Sequence, residues 1–141
     1  MKHHIEILRF LQANGSVSSR DLARQVGVSV GAVDDCVKAL RDWGFGISDL
    51  LGTGYQLTES LQLVDENRLR VELRSKGLLI EDRLEVLGEV KSTSQRLLEW
   101  PDREILHGRT CVAEFQSQGR GRRGRSWLGV PCRNIILSMA W

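Results

Sequence analysis

The chain has 141 residues, of which 41% are apolar and 27% are charged, and its net charge is +2. This composition is typical of one globular domain or two small ones and excludes a disordered or fibrous chain. Without an apolar run of the roughly 18 residues that a membrane span needs, and without a signal peptide, we expect a cytoplasmic protein with no membrane partner. The three cysteines are too few and too widely spaced for a disulfide framework or a zinc site, so we predict no metal centre.

The basic residues are concentrated in one part of the chain. Residues 1–62 have six basic and seven acidic side chains, which gives a net charge of −1. Residues 107–133 have six arginines and one glutamate, which gives a net charge of +5. Because the positive charge is local, it indicates a binding site and not a basic surface over the whole protein.

Residues 1–62 predict three helices followed by a hairpin. Helical spacing of apolar residues predicts a first helix that ends at the turn Asn14-Gly15. A serine at 18 or 19 caps a short second helix, and Gly27 suits the tight turn after it. Ser29 caps a third helix whose inner face consists of Val33, Val37 and Leu40.

Two short helices joined by a glycine-containing turn form a helix-turn-helix. The sequence GFGISDLLGTGYQLTES follows it and predicts two short strands around the tip Gly52-Thr53-Gly54. A helix-turn-helix with such a hairpin is a winged helix, so we predict a DNA-binding domain over residues 1–62.

In this domain the third helix is the expected recognition helix. We assign DNA contacts to its N-terminal turns and to one cation farther along it: Ser29, Val30, Ala32, Val33 and Lys38. Asp34 and Asp35 oppose this role, because carboxylates near phosphates weaken binding. An aspartate can nevertheless accept a hydrogen bond from the N4 amino group of cytosine.

Residues 63–141 predict a second domain in which helices and strands alternate. Helices are expected over 65–75 and 92–100, and strands over 84–90, 110–115 and 134–141. Such alternation favours a mixed sheet. We therefore predict an α+β chain, a winged helix-turn-helix followed by a mixed-sheet domain that is incomplete, since only three strands are predicted.

The strongest motif is QSQGRGRRGRSW, from Gln116 to Trp127. Its glycines match the dinucleotide fingerprint G-x-G-x-x-G, but that fingerprint requires a helix to begin within it, and Gly129 and Pro131 follow too soon. What remains is a loop whose glycines let a ligand approach the backbone and whose arginines bind phosphate or carboxylate. Composition alone favours a solvated basic loop or an RNA-binding tract.

This Arg/Gly loop (residues 116–126), together with KSTSQRLLEW upstream, resembles the catalytic domain of biotin–protein ligases. The earlier segments LRDWG and GTGYQL resemble the winged helix of the bifunctional bacterial type, which also represses transcription. The resemblance extends over essentially the whole chain. It implies an enzyme that forms biotinyl-5′-AMP from biotin and ATP, with Mg²⁺ accompanying ATP, and then passes the biotinyl group to a lysine of a biotin carboxyl carrier protein. It also implies that the adenylate is a corepressor that brings two copies together as a homodimer on operator DNA.

The resemblance implies roles for individual residues. The biotin pocket would be lined by Ser92, Thr93, Ser94 and Gln116, although many family members have asparagine at the position of Ser94. The carboxylate and the phosphoryl group would be held by Arg120, Gly121 and Arg122. Of these, Arg122 would be the catalytic residue that stabilises charge at the acyl phosphate.

Two residues of these motifs can also serve the fold itself. Ser92 and Gln95 have the spacing of a capping box, a role that is compatible with ligand binding. Trp127 is expected either to pack at the base of the loop or to contact the nucleotide.

The sequence lacks the family's later Lys-Trp-Pro-Asn-Asp motif and its small C-terminal barrel. We therefore expect a fragment of a longer ligase that does not biotinylate a carrier by itself. Two alternatives remain. One is a winged-helix regulator whose Arg/Gly loop binds nucleic acid instead of an adenylate, and the other is a ligase that keeps the winged helix only as a structural module.

Overall fold

The computed structural model describes residues 3–78, 81–101 and 106–141. The chain divides into two units, Met1–Gln62 and Leu63–Trp141. Within the described residues, no helix combines the length and the apolar character needed to cross a membrane.

The first unit has three helices and a small antiparallel sheet. Its elements are, in chain order, α1 (His4–Asn14), β1 (Ser16–Ser18), α2 (Ser19–Val26), α3 (Val30–Asp42), β2 (Ile47–Asp49) and β3 (Gly54–Leu57). The strand order is β1-β3-β2, with β3 antiparallel to both neighbours. The predicted helices and hairpin are confirmed, and β1 is an additional strand that the sequence analysis missed.

Local side-chain bonds determine where α2 and α3 begin. The Ser18 hydroxyl accepts a hydrogen bond from the Asp21 amide at 3.1 Å, and the Ser29 hydroxyl accepts one from the Ala32 amide at 3.2 Å. Gly27 has a φ of 73° between the two helices, in the left-handed region that glycine adopts at little cost. Ser18 therefore specifies the start of α2, and Gly27 and Ser29 specify the turn between α2 and α3.

The core of the first unit is formed by apolar residues from all three helices and the wing. Its most deeply buried members are Ile7, Leu8, Leu11, Leu22, Val33, Val37, Leu40 and Phe45. Leu61 extends this core beyond the hairpin, because its side chain is buried and its carbonyl accepts a hydrogen bond from Gln12 Nε2 at 2.8 Å.

The second unit is built on a mixed sheet. Its elements are α4 (Glu66–Ser75), β4 (Leu84–Val90), α5 (Thr93–Leu98), β5 (Thr110–Gln116), β6 (Gly119–Arg120), β7 (Ser126–Trp127) and β8 (Ile136–Met139). The main sheet has the order β4-β5-β8, with β4 parallel and β8 antiparallel to β5. The predicted α+β fold with a mixed sheet is confirmed. Because β4 and β5 are parallel, their carboxyl ends lie at the same edge of the sheet.

The helix α5 is tied to the sheet by an ion pair. The Arg96 guanidinium forks onto the Glu85 carboxylate, with Nη2 at 2.7 Å from Oε1 and Nε at 3.0 Å from Oε2. Trp100 follows the last turn of this helix, and the Arg109 guanidinium stacks on its ring at 3.8 Å. These contacts fix the helix that carries the first polar residues of the site.

Polar contacts also attach the segment before β4. Arg70 pairs with Glu66 at 2.6 Å and donates to the Leu84 carbonyl at 2.9 Å, which joins α4 to the start of β4. The Glu114 carboxylate, 2% exposed, accepts a hydrogen bond from the Val64 amide. Since α4 has no fully buried side chain, it is held in position by these polar bonds and not by apolar packing.

Gly54 provides a test of the packing between β1 and β3. A Cβ at this position would lie 2.2 Å from the Val17 carbonyl oxygen and 2.8 Å from Ser18 Cα, both of them backbone atoms of the paired strand. We expect Gly54→Ala to lower the free energy of unfolding of the first unit by about 2–3 kcal/mol. Urea unfolding followed by amide hydrogen exchange in residues 3–62 measures the change.

Gly31→Ala is the matched control. A Cβ on Gly31 would meet no atom within 4 Å, and alanine is the better helix former inside α3. We expect this variant to be more stable than the parent by about 0.5–1 kcal/mol. Equal stability of the two variants would contradict the close contact between β1 and β3.

Candidate functional site

A cavity of about 300 Å³ lies in the second unit, at the carboxyl edge of the parallel strands. Ligands in sheets of this kind commonly bind at that edge. The cavity has polar side chains from the start of α5, the end of β5, β6 and β8, and apolar side chains from β7, from β8 and from the residue before β8. Its lining consists of Ser92, Thr93, Ser94, Gln116, Arg120, Trp127, Ile135, Ile136, Leu137 and Ser138.

The parallel pairing explains why the predicted pocket residues converge. Val90 at the end of β4 is in register with Gln116 at the end of β5, so the chain leaves both strands at one place. Ser92 and Thr93 follow directly, and α5 begins there. Ser92, Thr93 and Gln116 are 2%, 3% and 8% exposed, which is unusually low for polar side chains.

Two of these buried polar residues, Thr93 and Gln116, are hydrogen-bonded to each other. The Gln116 Oε1 atom accepts from the Thr93 amide at 2.7 Å and from the Thr93 hydroxyl at 2.9 Å. The same hydroxyl lies 2.8 Å from Ser138 Oγ on β8. Side chains from three separate elements thus form one chain of hydrogen bonds in the cavity wall.

Ser92 both caps α5 and lines the cavity. Its hydroxyl accepts from the Gln95 amide at 3.5 Å and lies 3.0 Å from Ser94 Oγ. The Gln95 side chain does not return to Ser92, because it donates to Glu99 at 2.8 Å. Only half of the predicted capping box is therefore formed, and the Ser92 hydroxyl keeps a place in the cavity wall.

The Arg/Gly loop is a short hairpin. Strands β6 and β7 pair through Gly119 with Trp127 and Arg120 with Ser126, and a single 3-10 turn over Arg122–Gly124 connects them. Arg120 belongs to the cavity lining, whereas Gly121 and Arg122 do not. The four arginines of the loop, at 120, 122, 123 and 125, are exposed.

Trp127 has both a packing position and a place in the cavity wall. A Cβ on Gly119 would lie 3.0 Å from its Cε3 atom, and a Cβ on Gly129 would lie 2.7 Å from its Cη2 atom. The ring therefore packs against two glycines at the base of the loop. It is 39% exposed and also lines the cavity, so the predicted packing is confirmed, and a contact with the nucleotide stays a prediction.

The sequence analysis did not assign the residues that β8 contributes to the cavity, among them Ile136 and Ser138. It treated residues 134–141 only as an apolar strand. The available signal was Ser138 itself, a polar residue two positions after Ile136 and therefore on the same face of the strand.

The first unit contains the second predicted site, the recognition helix α3. Ser29, Val30 and Lys38 are exposed and Ala32 is half-buried, so these four side chains are placed where a ligand could touch them. The assignment of a DNA contact to Val33 is wrong. Val33 is 0% exposed, because it lies on the same helix face as Val37 and Leu40, which packs into the core.

Asp34 has a structural partner in the wing. Its carboxylate accepts a hydrogen bond from the Tyr55 hydroxyl of β3 at 2.8 Å. Arg41, farther along the same helix, lies 5.7 Å from the Tyr55 ring and donates to the Ile47 carbonyl at 2.8 Å. Asp34 thus helps to hold α3 against the wing, although both it and Asp35 are exposed.

The bond between Tyr55 and Asp34 predicts a pH dependence. Burial, and then the hydrogen bond to the carboxylate, raise the pKa of Tyr55 to about 12. An unfolded chain releases this proton near pH 10. The contribution of the pair to stability is therefore fully present below pH 10 and is lost as the pH rises towards 12.

Tyr55 is the single tyrosine of the sequence, so absorbance at 295 nm during an alkaline titration reports on it alone. We expect the titration midpoint to be clearly above that of free tyrosine. In the control Asp34→Asn, which keeps an acceptor but removes the charge, the midpoint should move down. An ordinary tyrosine midpoint in the unsubstituted chain would show that this bond is absent.

Each of the two units matches a family of known proteins. Residues 2–45 match the winged helix-turn-helix DNA-binding family. Residues 87–141, which include every residue of the cavity wall, match the biotin/lipoate A/B protein ligase family. The first unit is thus similar to winged-helix DNA-binding domains, and the second unit is similar to biotin/lipoate protein ligases.

Individual relatives are similar to this chain over most of its length. The bifunctional ligase/repressor BirA of Salmonella typhimurium is 40% identical over 124 residues, which are 88% of this chain and 37% of that protein. BirA of Escherichia coli is 38% identical over 132 residues, 93% of this chain and 39% of that protein. The chain therefore spans about two fifths of the length of these curated relatives.

Similarity also extends to proteins of other bacteria. BirA of Bacillus subtilis is 25% identical over 138 residues, 92% of this chain and 40% of that protein. The solved biotin protein ligase from Aquifex aeolicus in complex with biotin and ATP is 45% identical over 35% of this chain and 20% of that chain, with a TM-score of 0.30. The resemblance inferred from the Arg/Gly loop and the upstream serines is confirmed by the sequence matches.

Proposed function

We propose that this chain is the N-terminal part of a bifunctional biotin–protein ligase and biotin-responsive repressor. Residues 1–62 would be the DNA-binding domain and residues 63–141 the first part of the catalytic domain. The observation that carries this proposal is the cavity at the carboxyl edge of β4 and β5. All of its lining lies in the segment that matches the ligase family, and it brings together Ser92, Thr93, Gln116 and Arg120.

The cavity has the chemistry that biotin requires. Biotin has a ureido group at one end, an apolar bicyclic body and a carboxylate at the end of an aliphatic chain. Buried hydroxyl and amide groups of Ser92, Thr93, Ser94 and Gln116 can bind the ureido group, while the apolar residues of β8 contact the body. Arg120 lines the cavity where its guanidinium can pair with the carboxylate.

The proposed reaction has two steps. The biotin carboxylate attacks the α-phosphorus of ATP, which releases pyrophosphate and forms the mixed anhydride biotinyl-5′-AMP. A lysine amine of the carrier protein then attacks the acyl carbon and releases AMP. Both steps develop negative charge on phosphoryl or acyl oxygens, and we assign its stabilisation to Arg122, with Arg120 beside it and Gly121 giving backbone access.

Mg²⁺ enters this scheme as part of the substrate. Among the described residues, no group of three His, Cys, Asp or Glu side chains is placed to hold a metal ion. The triphosphate of ATP supplies the oxygens that Mg²⁺ prefers. We therefore assign no side chain of this chain to the metal.

We propose that biotinyl-5′-AMP is also the corepressor. The adenylate would bring two copies together as a homodimer, and the two winged helices would then bind the halves of an operator. The proposed carrier is a biotin carboxyl carrier protein. Since the protein would use both ATP and operator DNA, we propose the cytoplasm as its location.

Arg122→Ala tests the assignment of the catalytic arginine. If the guanidinium binds the phosphoryl group of the adenylate, its loss removes a charge-assisted contact of about 1.5–3 kcal/mol. We expect biotinyl-5′-AMP to dissociate from the variant at least about tenfold faster than from the parent chain. Stopped-flow displacement of the bound adenylate measures this rate.

Arg123→Ala is the control, since it removes the same charge from the neighbouring position of the same exposed turn. Equal rates for the two variants would show that only the net charge of the loop matters. Trypsin digestion separates the proposal from the alternative of a nucleic-acid-binding loop. Biotinyl-5′-AMP should protect the arginines of the loop from cleavage, and protection by an oligonucleotide alone would favour the alternative.

The first unit predicts weak DNA binding without the adenylate. Its net charge of −1 and the exposed Asp35 oppose phosphate contacts, so the dependence of affinity on salt should be shallow. Lys38→Ala should weaken binding and reduce the salt slope by about one, whereas Asp35→Asn should strengthen binding. Titration of a fluorescent duplex at several salt concentrations measures both effects. Tight binding by the ligand-free chain at physiological salt would contradict this prediction.

A further inference from the structure

The hydrogen-bond chain in the cavity wall has a fixed direction. The Thr93 backbone N–H lies 2.7 Å from the side-chain atom Oε1 of Gln116. A backbone N–H can only donate, so this atom must be the amide oxygen of Gln116 and not its nitrogen. The amide NH₂ of Gln116 is therefore turned to the other side.

Proton counting then determines the roles of the two hydroxyl groups. The Gln116 oxygen can only accept, so the Thr93 hydroxyl, at 2.9 Å, must donate its single proton to it. Ser138 Oγ lies 2.8 Å from the Thr93 oxygen, which has no proton left to give. The Ser138 hydroxyl must therefore donate to Thr93, and its own oxygen keeps only lone pairs for a further partner.

The result is a wall with two kinds of hydrogen-bonding group. Gln116 offers N–H donors, and Ser138 offers an acceptor. Thr93 and Gln116 are nearly inaccessible, whereas Ser138 is half-buried and lines the cavity. On the same face of β8, the next lining side chain is the buried Ile136. Ser138 is thus the polar end of an otherwise apolar strand surface.

We infer that Ser138 determines specificity by accepting a hydrogen bond from an N–H group of the ligand. This inference rests on the proposed function, which makes the ligand biotin and the N–H one of the two in its ureido group. A ligand that carries both a carbonyl and an N–H on a small ring matches the donor and the acceptor of this wall. A ligand whose ring nitrogen is alkylated does not.

The experiment compares biotin with its two N-methyl derivatives, each of which has one ureido N–H replaced by N–CH₃. Affinities for the full chain and for Ser138→Ala are measured by isothermal titration calorimetry. We expect the substitution to weaken biotin binding about five- to tenfold, since it removes one hydrogen bond. For one of the two derivatives, Ser138→Ala should change the affinity by less than about twofold, because that ligand has no N–H to donate to Ser138.

Three further variants complete the experiment. Ser138→Thr keeps the hydroxyl and should restore biotin affinity to within about twofold. Ser75→Ala removes a serine hydroxyl that bonds the Glu72 carbonyl on α4 and should leave both affinities unchanged. If circular dichroism shows that Ser138→Ala is unfolded, Ser138→Cys replaces it, because a thiol of similar size is a weak hydrogen-bonding group.

The outcomes separate this inference from the function on which it rests. An equal loss of affinity for biotin and for both derivatives would show that Ser138 only supports the wall, which overturns the inference and leaves the ligase proposal standing. Absence of any biotin binding by the unsubstituted chain would overturn both. A selective loss for biotin, restored by threonine, supports both.

Discussion

The bonds from Thr93 to the Gln116 side chain are the contacts on which the rest of the second unit's site depends. They join the first residue of α5 to the last residue of β5, two positions that are 23 residues apart in the sequence. Both partners are buried, so a fold that left either group without a partner would be destabilised by the desolvation free energy of that group. The bonds consequently favour a single arrangement of the edge at which the cavity opens.

A second constraint acts on the opposite side of α5. The fork between Arg96 and Glu85 holds the helix on β4, and Trp100 is stacked under Arg109 just beyond it. A six-residue helix has little stability of its own, because nucleation is costly in short segments. The position of α5 therefore depends on these side-chain contacts, and they also place the serines at its start.

The parts of the structure that the sequence predicts are those that depend on near neighbours. Serine caps, a turn glycine and the apolar spacing of α3 act over a few residues, so the helices of the winged helix follow from them. The pocket residues at 92, 93 and 116 followed from the resemblance to a ligase family and not from local physics.

The contacts that the sequence did not predict join distant positions. Ser138 reaches Thr93 across 45 residues, and Tyr55 reaches Asp34 across 21, so both pairs depend on how strands assemble. The strand β1 was missed because Ser-Val-Ser has one apolar residue and no visible period. The error at Val33 has a simpler cause, since a helix that contacts DNA must also bury one face, and this residue belongs to that face.

The pairing of β8 with β5 has a consequence for how this chain can change by insertion or deletion. Successive residues of a strand point to opposite faces, so Ile136 shares the face from which Ser138 bonds Thr93 of α5, while Leu137 and Met139 alternate with them. If one residue is lost or gained in the connection before β8, this strand can pair with β5 one residue out of register and keep its backbone hydrogen bonds. A leucine or a methionine then takes the position of Ser138. The length of that connection, between 128 and 135, thus controls which chemical groups β8 presents to the cavity, even when the sequence of the strand itself is unchanged.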